Sequence, residues 1–156
     1  MRIMFDTNIL ISMLLFPSER FNRILDFITR KHKLVLSSFV IDELFAVVER
    51  KFPLKKQAID SFLSDLAYEL VYTPHNISGN LFEIRDKNDY PVLYTAIIEN
   101  IDIFITGDKD FLDVDIEMPE IMTPKDFAEK FLHEHLRKNR RMYKCISRQK
   151  GAANNL

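Results

Sequence analysis

Short apolar runs alternate with longer segments of helical periodicity along this chain, and that alternation limits the fold more than any other feature. The apolar runs predict four strands, at residues 2–5, 33–36, 102–106 and 120–123. Strands separated by helices pair in parallel, because a tight hairpin cannot join them. The sequence therefore predicts an α/β fold built on a parallel sheet.

The segments between these strands have the spacing of amphipathic helices. Helices are predicted from the end of the first strand to Phe16, at about 18–31, from Ser37 or Ser38 to Pro53, at 55–69, at 89–100 and from Pro124 onward. The helix at 55–69 rests on five apolar residues at helical spacing, namely Ile59, Phe62, Leu63, Leu66 and Leu70. Residues 73–80 are predicted to form a loop. No flexible linker interrupts the series, so we predict one compact domain.

Charge is distributed unevenly, although the formal net charge of the whole chain is only −1. Residues 133–156 contain one acid and seven bases, namely Arg137, Lys138, Arg140, Arg141, Lys144, Arg148 and Lys150. The preceding residues hold the remaining 15 bases and 22 acids. We therefore predict an acidic domain over residues 1–132 and a basic helical extension and tail over residues 133–156. The extension is either an arm for a polyanion or a solvated terminus without a role.

Four acidic residues are embedded in apolar sequence, where a carboxylate is costly to bury. They are Asp6, Glu43, Asp89 and Asp108. Burying ionised carboxylates together costs several kcal/mol each unless a cation compensates. No lysine or arginine is embedded beside each of them. The predicted compensator is a divalent ion that prefers oxygen ligands, Mg²⁺ or Mn²⁺.

Each of these acids also has an ordinary structural interpretation. Asp6 and Asp108 follow strands, and Asp89 precedes a helix that it is able to cap. Glu43 shares a helix face with Phe39, and at the edge of that face it can reach water. If the strands before Asp6 and Asp108 are neighbours, however, both carboxylates enter one crevice at the carboxyl edge of the sheet. For the four acids together we favour a shared metal site.

The scarcity of glycine and cysteine excludes several common classes of site. Gly79, Gly107 and Gly151 are too few and too scattered for a P-loop, a dinucleotide fingerprint or the nucleophile elbow of esterases. The single cysteine, Cys145, excludes a disulfide framework and a cysteine metal site. Enzymes that use the common nucleotide cofactors are therefore not expected.

Other catalytic classes fail on particular residues. A phosphatase of the haloacid-dehalogenase type needs an acid two residues after its nucleophile, but Asn8 follows Asp6 at that distance. A response-regulator receiver needs an acidic pair near its first strand, which is missing. Serine and cysteine catalysis with histidine is not supported, because the histidines lie in predicted loops or on different sides of a helix. They are His32, His75, His133 and His135.

The longest apolar run, at residues 9–16, is too short to cross a membrane. It is also a poor secretory signal, because Asp6 precedes it where a basic leader is expected. We expect a cytoplasmic protein with no membrane partner.

Four motifs occur in the order found in a known family. They are Met4-Phe5-Asp6-Thr7-Asn8-Ile9-Leu10-Ile11-Ser12, the segment from Ser37 to Glu43, Arg85-Asp86-Lys87-Asn88-Asp89 with Ala96 downstream, and Thr106-Gly107-Asp108-Lys109-Asp110-Phe111. Over residues 1–132 the chain resembles the PIN-domain family of metal-dependent ribonucleases. The closest resemblance is to the prokaryotic toxins of toxin–antitoxin modules.

This resemblance implies a three-layer α/β/α fold with Mg²⁺ or Mn²⁺ held by clustered acids. The acidic core of the family corresponds to Asp6, Glu43, Asp89 and Asp108, with Asp110 as a further metal ligand. Independently of the resemblance, Asp86 lies three residues before Asp89 and is either a supporting group or the rival to Asp89. Polar positions that orient carboxylates or contact substrate correspond to Thr7, Asn8, Ser12 and Thr106. The implied partners are an RNA substrate and a cognate antitoxin, and a homodimer is one option for the oligomeric state.

The basic extension lies outside the family pattern, and Pro91 stands where small residues often occur. The candidate RNA-binding residues of the extension are Arg137, Lys138, Arg140, Arg141 and Lys144. An alternative function for the extension is to dock an acidic segment of the antitoxin. The open alternative from another functional class is a PIN-like domain that binds RNA or a protein without cleaving.

Overall fold

The computed structural model describes residues 1–77 and 80–132, and its centre is a five-stranded sheet in which all the observed pairings are parallel. The strands are β1 (Arg2–Phe5), β2 (Lys33–Ser37), β3 (Tyr68–Val71), β4 (Ile103–Ile105) and β5 (Glu120–Met122). Their order is β3-β2-β1-β4-β5. The predicted α/β class is therefore confirmed.

The central strand β1 is buried almost throughout, because it pairs with neighbours on both sides. Met4 pairs with Val35 of β2 on one side and with Phe104 of β4 on the other. All three side chains are fully buried. Such strands are continuous apolar runs, since helices cover both faces of a parallel sheet. This is why the strand predictions at the centre of the sheet are correct.

Seven α-helices connect or follow the strands in the described ranges. They are α1 (Thr7–Leu15), α2 (Glu19–Lys31), α3 (Ser38–Lys51), α4 (Lys56–Asp65), α5 (Tyr90–Ile98), α6 (Lys109–Leu112) and α7 (Pro124–Phe127). Side-chain caps start several of them: Ser18 accepts from Phe21, Ser37 accepts from Val40, and Thr123 forms a capping box that leads into α7. A single 3₁₀ turn, Pro53–Lys55, precedes α4, and a π turn, Ala128–Leu132, follows α7.

The helix predicted at 55–69 is wrong only in its last four residues. The helix ends at Asp65, and Tyr68–Val71 is an edge strand that pairs with β2 alone. Leu70, which had been counted on the helical face, is exposed on this strand. A strand of four residues at a sheet edge is specified by its non-local partner, so the local apolar spacing favoured the preceding helix instead.

No helix in the two described ranges is long and apolar enough to cross a membrane. The extension at residues 133–156 lies outside the described residues, as do His133, His135, Cys145 and the candidate RNA-binding residues from Arg137 to Lys144.

Candidate metal centre

The candidate site lies where the strand order of the sheet reverses. From the central strand β1 the chain builds outward through β2 and β3, and it then returns to the other side of β1 with β4. In open parallel sheets this reversal leaves a crevice beyond the carboxyl ends of the central strands, where ligands bind. Asp6 directly follows β1 and Asp108 follows β4, so the pairing of these two strands brings both acids to the same edge of the sheet.

Asp6 is deeply buried, with 3% of its surface exposed. Its Oδ2 accepts a hydrogen bond of 2.9 Å from the Thr106 hydroxyl. Burial raises the pKa of the Asp6 carboxyl to about 6, although hydrogen bonds from Thr106 and from the Thr7 backbone oppose this shift. The charges of Glu43 and Asp108 raise the pKa further. Glu43 and Asp108 are therefore each close enough to repel Asp6.

Glu43 reaches the site from α3. Val40 and Leu44 on this helix are fully buried against the core, and Glu43 lies half-buried beside them. Its Oε2 accepts a short hydrogen bond from the hydroxyl of Thr7, the first residue of α1. This bond fixes the Glu43 carboxylate beside the residue that follows Asp6.

Asp89 precedes α5, but its side chain makes no capping hydrogen bond. The interpretation of Asp89 as a side-chain cap is therefore wrong. The pKa of its carboxyl is raised to about 7. Desolvation is the largest cause, and the charges of Asp86, Asp6, Asp108 and Glu43 also contribute. Asp89 thus experiences the repulsion of four other acids, but not of Asp110.

Asp108 caps the short helix α6. Its Oδ1 accepts a hydrogen bond of 2.9 Å from the backbone N–H of Asp110, and its own backbone N–H donates to the Thr106 hydroxyl at 3.0 Å. The same hydroxyl donates to Asp6, so Thr106 connects the turn after β4 to the buried acid after β1. Thr106 is itself fully buried, which makes this connection rigid.

Asp110 lies in the first turn of α6 and forms an ion pair with Arg85 from the loop before α5. The Arg85 Nη2 is 2.7 Å from Oδ1, and the Arg85 Nε donates to Oδ2 at 3.1 Å. Both residues line a cavity of about 480 Å³ beside the acids, together with Asn8, Ile9, Ser12, Gly107, Asp108 and Lys109.

The polar residues that the sequence predicts beside the acids differ in the hydrogen bonds that they make. Thr7 and Thr106 each donate a hydrogen bond to a candidate acid, whereas the Ser12 hydroxyl donates to the Asn8 carbonyl of its own helix. Asp86 accepts a hydrogen bond from the backbone of its own loop, at Asn88. Arg85 and Lys109 belong to the sequence motifs, but no signal in the sequence gives either of them a role. No three histidine, cysteine, aspartate or glutamate side chains in the described ranges are grouped so as to hold a metal ion.

Several solved structures are similar in fold to this chain. One is VapBC2 from Rickettsia felis bound to a promoter DNA fragment, which is 22% identical to this chain and has a TM-score of 0.61. The match covers 79% of this chain and 98% of that chain. VapBC-1 from nontypeable Haemophilus influenzae is 18% identical with a TM-score of 0.57 over 80% and 99%. VapC20 from Mycobacterium tuberculosis, a sarcin-ricin loop cleaving toxin, is 12% identical with a TM-score of 0.51 over 70% and 92%.

At these identities the structural likeness establishes the fold. No curated protein matches the sequence. The family assignment comes from the sequence pattern of the PIN domain, which matches residues 2–110. This segment is more than half of the chain and includes all the candidate acids, so the protein belongs to the PIN-domain family.

Proposed function

We propose that this protein is a metal-dependent endoribonuclease that hydrolyses RNA phosphodiester bonds as the toxin of a toxin–antitoxin module. The observation that carries the proposal is the meeting of Asp6 and Asp108 at the carboxyl edge of the sheet, where burial first and the charges of neighbouring carboxylates second raise the pKa values of Asp6 and Asp89. Membership of the PIN-domain family supports it. The toxin role is supported by the likeness to VapC20, a toxin that cleaves the sarcin-ricin loop, and to two VapBC complexes.

The donor set fits Mg²⁺ or Mn²⁺, because both prefer carboxylate oxygens. Asp6, Glu43, Asp89 and Asp108 would hold the ion, and Asp110 is a further candidate ligand. A divalent ion in such a site polarises the phosphate and lowers the pKa of its bound water. In the described ranges these acids are not grouped as a closed ligand set.

The residues around the acids have positioning roles in this proposal. Thr7 and Thr106 donate hydrogen bonds to the carboxylates of Glu43 and Asp6, which restricts how these side chains can rotate. Asp89 makes no capping bond, so its carboxylate is available to the metal or to a proton of the attacking water. The partners that follow from this function are an RNA substrate and a cognate antitoxin protein.

A second candidate function is binding of RNA or a protein without cleavage. The observation that favours it is the lack of a closed ligand set in the described ranges. A site without catalysis, however, gains nothing from keeping four carboxylates that repel one another. The two functions are separated by a direct assay of cleavage.

We expect the purified chain of residues 1–156 to cleave single-stranded RNA in Mn²⁺ or Mg²⁺. Cleavage is expected to stop in EDTA, because in this proposal the charge of the ion assists hydroxide attack on the phosphodiester. The measurement is the disappearance of end-labelled RNA on a denaturing gel, with restoration when excess Mn²⁺ follows EDTA. Cleavage that continues undiminished in EDTA contradicts metal dependence. RNA binding without cleavage in either metal supports the second function.

We also propose that the basic extension contributes to RNA affinity, because seven of its residues are bases and the preceding domain is acidic. Truncation after Leu136 is expected to weaken RNA binding and to flatten its dependence on salt, since fewer phosphates are neutralised. Mn²⁺ binding to the truncated chain, measured by calorimetry, serves as the control and is expected to be unchanged. An unaltered salt dependence of RNA binding contradicts the role as an arm.

A further inference from the structure

The cavity beside the acids contains two bases, Arg85 and Lys109. This placement is notable because an RNA backbone approaching Asp6 or Asp108 meets negative charge before any metal is bound. Affinity for nucleic acid comes mainly from cations at phosphates. The bases of this cavity are therefore the described residues best placed to attract a phosphate next to the candidate metal centre.

Arg85 is held in a defined orientation by Asp110. Its Nη2 and Nε contact the two oxygens of one carboxylate at 2.7 Å and 3.1 Å, a bidentate geometry that fixes the plane of the guanidinium. The Arg85 side chain is nevertheless 85% exposed, whereas that of Asp110 is 11% exposed. Ion pairs with so exposed a partner add little to folding stability. The pair therefore does more to orient the arginine than to hold the fold together.

The bidentate contact uses one edge of the guanidinium. An arginine has five N–H donors, and the two contacts with Asp110 engage one on Nε and one on Nη2. The remaining donors belong to an exposed side chain in a cavity that Asn8 and Ser12 also line. A phosphate oxygen is an acceptor that suits these donors, because guanidinium and phosphate match in charge and geometry.

We propose that Arg85 binds a backbone phosphate of the RNA substrate in this cavity and that Asp110 orients it for that contact. The inference rests on the proposed ribonuclease function and names the residue that holds the substrate beside the acids. Arg85 contacts the RNA directly, whereas Asp110 acts through Arg85 and repels the phosphate by its own charge. Because these two effects of Asp110 oppose each other, its removal is expected to change RNA binding less than the removal of Arg85.

The test compares Arg85→Ala, Asp110→Asn and Lys87→Ala in the full chain with EDTA present, so that binding is measured without cleavage or metal. The probe is a short, unstructured, fluorescently labelled RNA, and the readout is anisotropy over a range of salt concentrations. Arg85→Ala is expected to weaken binding by about tenfold, as for one lost charge-assisted contact. The slope of log Kd against log salt is expected to fall by roughly 0.7 for the single-stranded phosphate contact that is lost.

Asp110→Asn is expected to weaken RNA binding less than Arg85→Ala does, because it loosens the orientation of Arg85 but also removes a negative charge. Lys87 is the matched control, since it is an exposed base of the same loop that lines a different cavity. Lys87→Ala is expected to have a smaller effect than Arg85→Ala. Arg85→Lys, which keeps the charge but not the fork of donors, is expected to recover part of the loss.

Two results overturn the inference while leaving the ribonuclease function intact. One is RNA affinity and salt slope in Arg85→Ala equal to those of the unaltered chain. The other is equal weakening by Arg85→Ala and Asp110→Asn, which assigns both residues a purely structural role. An unaltered chain that neither binds nor cleaves RNA overturns the inference together with the proposed function. Thermal unfolding of each variant shows whether it is folded.

Discussion

Replacing Asp6 by Asn is expected to lower the rate of RNA cleavage by about a thousandfold or more, within the range seen when a group that supports acid–base and metal chemistry is lost. Asp6 is the buried acid at the switch point, and a neutral side chain there lowers the attraction for a divalent ion. The amide keeps the size of the carboxylate and an oxygen that can accept the bond from Thr106. The loss of activity is therefore expected without loss of the fold.

Asp108→Asn is expected to reduce cleavage similarly, because Asp108 comes to the same edge of the sheet from β4. Its amide oxygen can still accept the capping bond from Asp110, so α6 is expected to persist. Asp42→Asn is the matched control. Asp42 is the exposed neighbour of Glu43 on α3, and the same change of charge there is expected to leave the rate unchanged. A rate unaffected by both Asp6→Asn and Asp108→Asn contradicts the assignment of the site.

The centre of the fold was predictable from sequence because the signals there are local and strong. The strands β1, β2, β4 and β5 lie at the four predicted apolar runs, and Ser37 caps the helix that was expected to begin at Ser37 or Ser38. The edge strand β3 was missed because its four residues follow a helix whose apolar spacing continues into it. The short helix α6 was also missed, since four residues give too little periodicity to separate a helix from a turn.

The meeting of Asp6 and Asp108 was predictable on one condition, that their strands are neighbours, and the pairing of β1 with β4 satisfies it. The contacts that orient the acids were not predictable. The bond from Thr7 to Glu43 joins residues 36 positions apart, and the bond from Thr106 to Asp6 joins residues 100 positions apart. The pairing of Arg85 with Asp110 likewise depends on how two loops lie in space. The assignment of these acids as metal ligands stays a prediction that the substitutions above test.

The contribution of Asp6 to the stability of the metal-free protein is expected to fall as the pH rises from about 4 to about 7. The pKa of Asp6 is about 6 in the folded chain and 3.8 for an ordinary aspartate. Between these values the folded chain retains a proton that the unfolded chain has released, so folding is favoured at the lower pH. The difference corresponds to about 3 kcal/mol in the free energy of unfolding.

This contribution is isolated by comparing variants, since other carboxylates titrate over the same range. The free energy of unfolding, measured with urea in EDTA, is expected to rise for Asp6→Asn relative to the unaltered chain as the pH increases from 4 to 8. Asp89→Asn is expected to behave in the same direction, because the pKa of Asp89 is raised to about 7. Its effect is expected to be smaller than the pKa implies, since Asp89 is only half-buried and solvent screens its charge. Asp42→Asn again controls for the loss of one charge.

Addition of Mn²⁺ at pH 8 is expected to reverse this penalty in the unaltered chain. An ion that binds only the folded state stabilises it by about 2.7 kcal/mol at a hundred times its Kd. Mn²⁺ is expected to raise the free energy of unfolding of Asp6→Asn and Asp89→Asn by less than it raises that of the unaltered chain. In the absence of metal, each variant is expected to be more stable than the unaltered chain. Both effects are expected if the carboxylates repel one another and a shared cation relieves that repulsion. Destabilisation of the metal-free protein by Asp89→Asn would instead show that this carboxylate supports the fold.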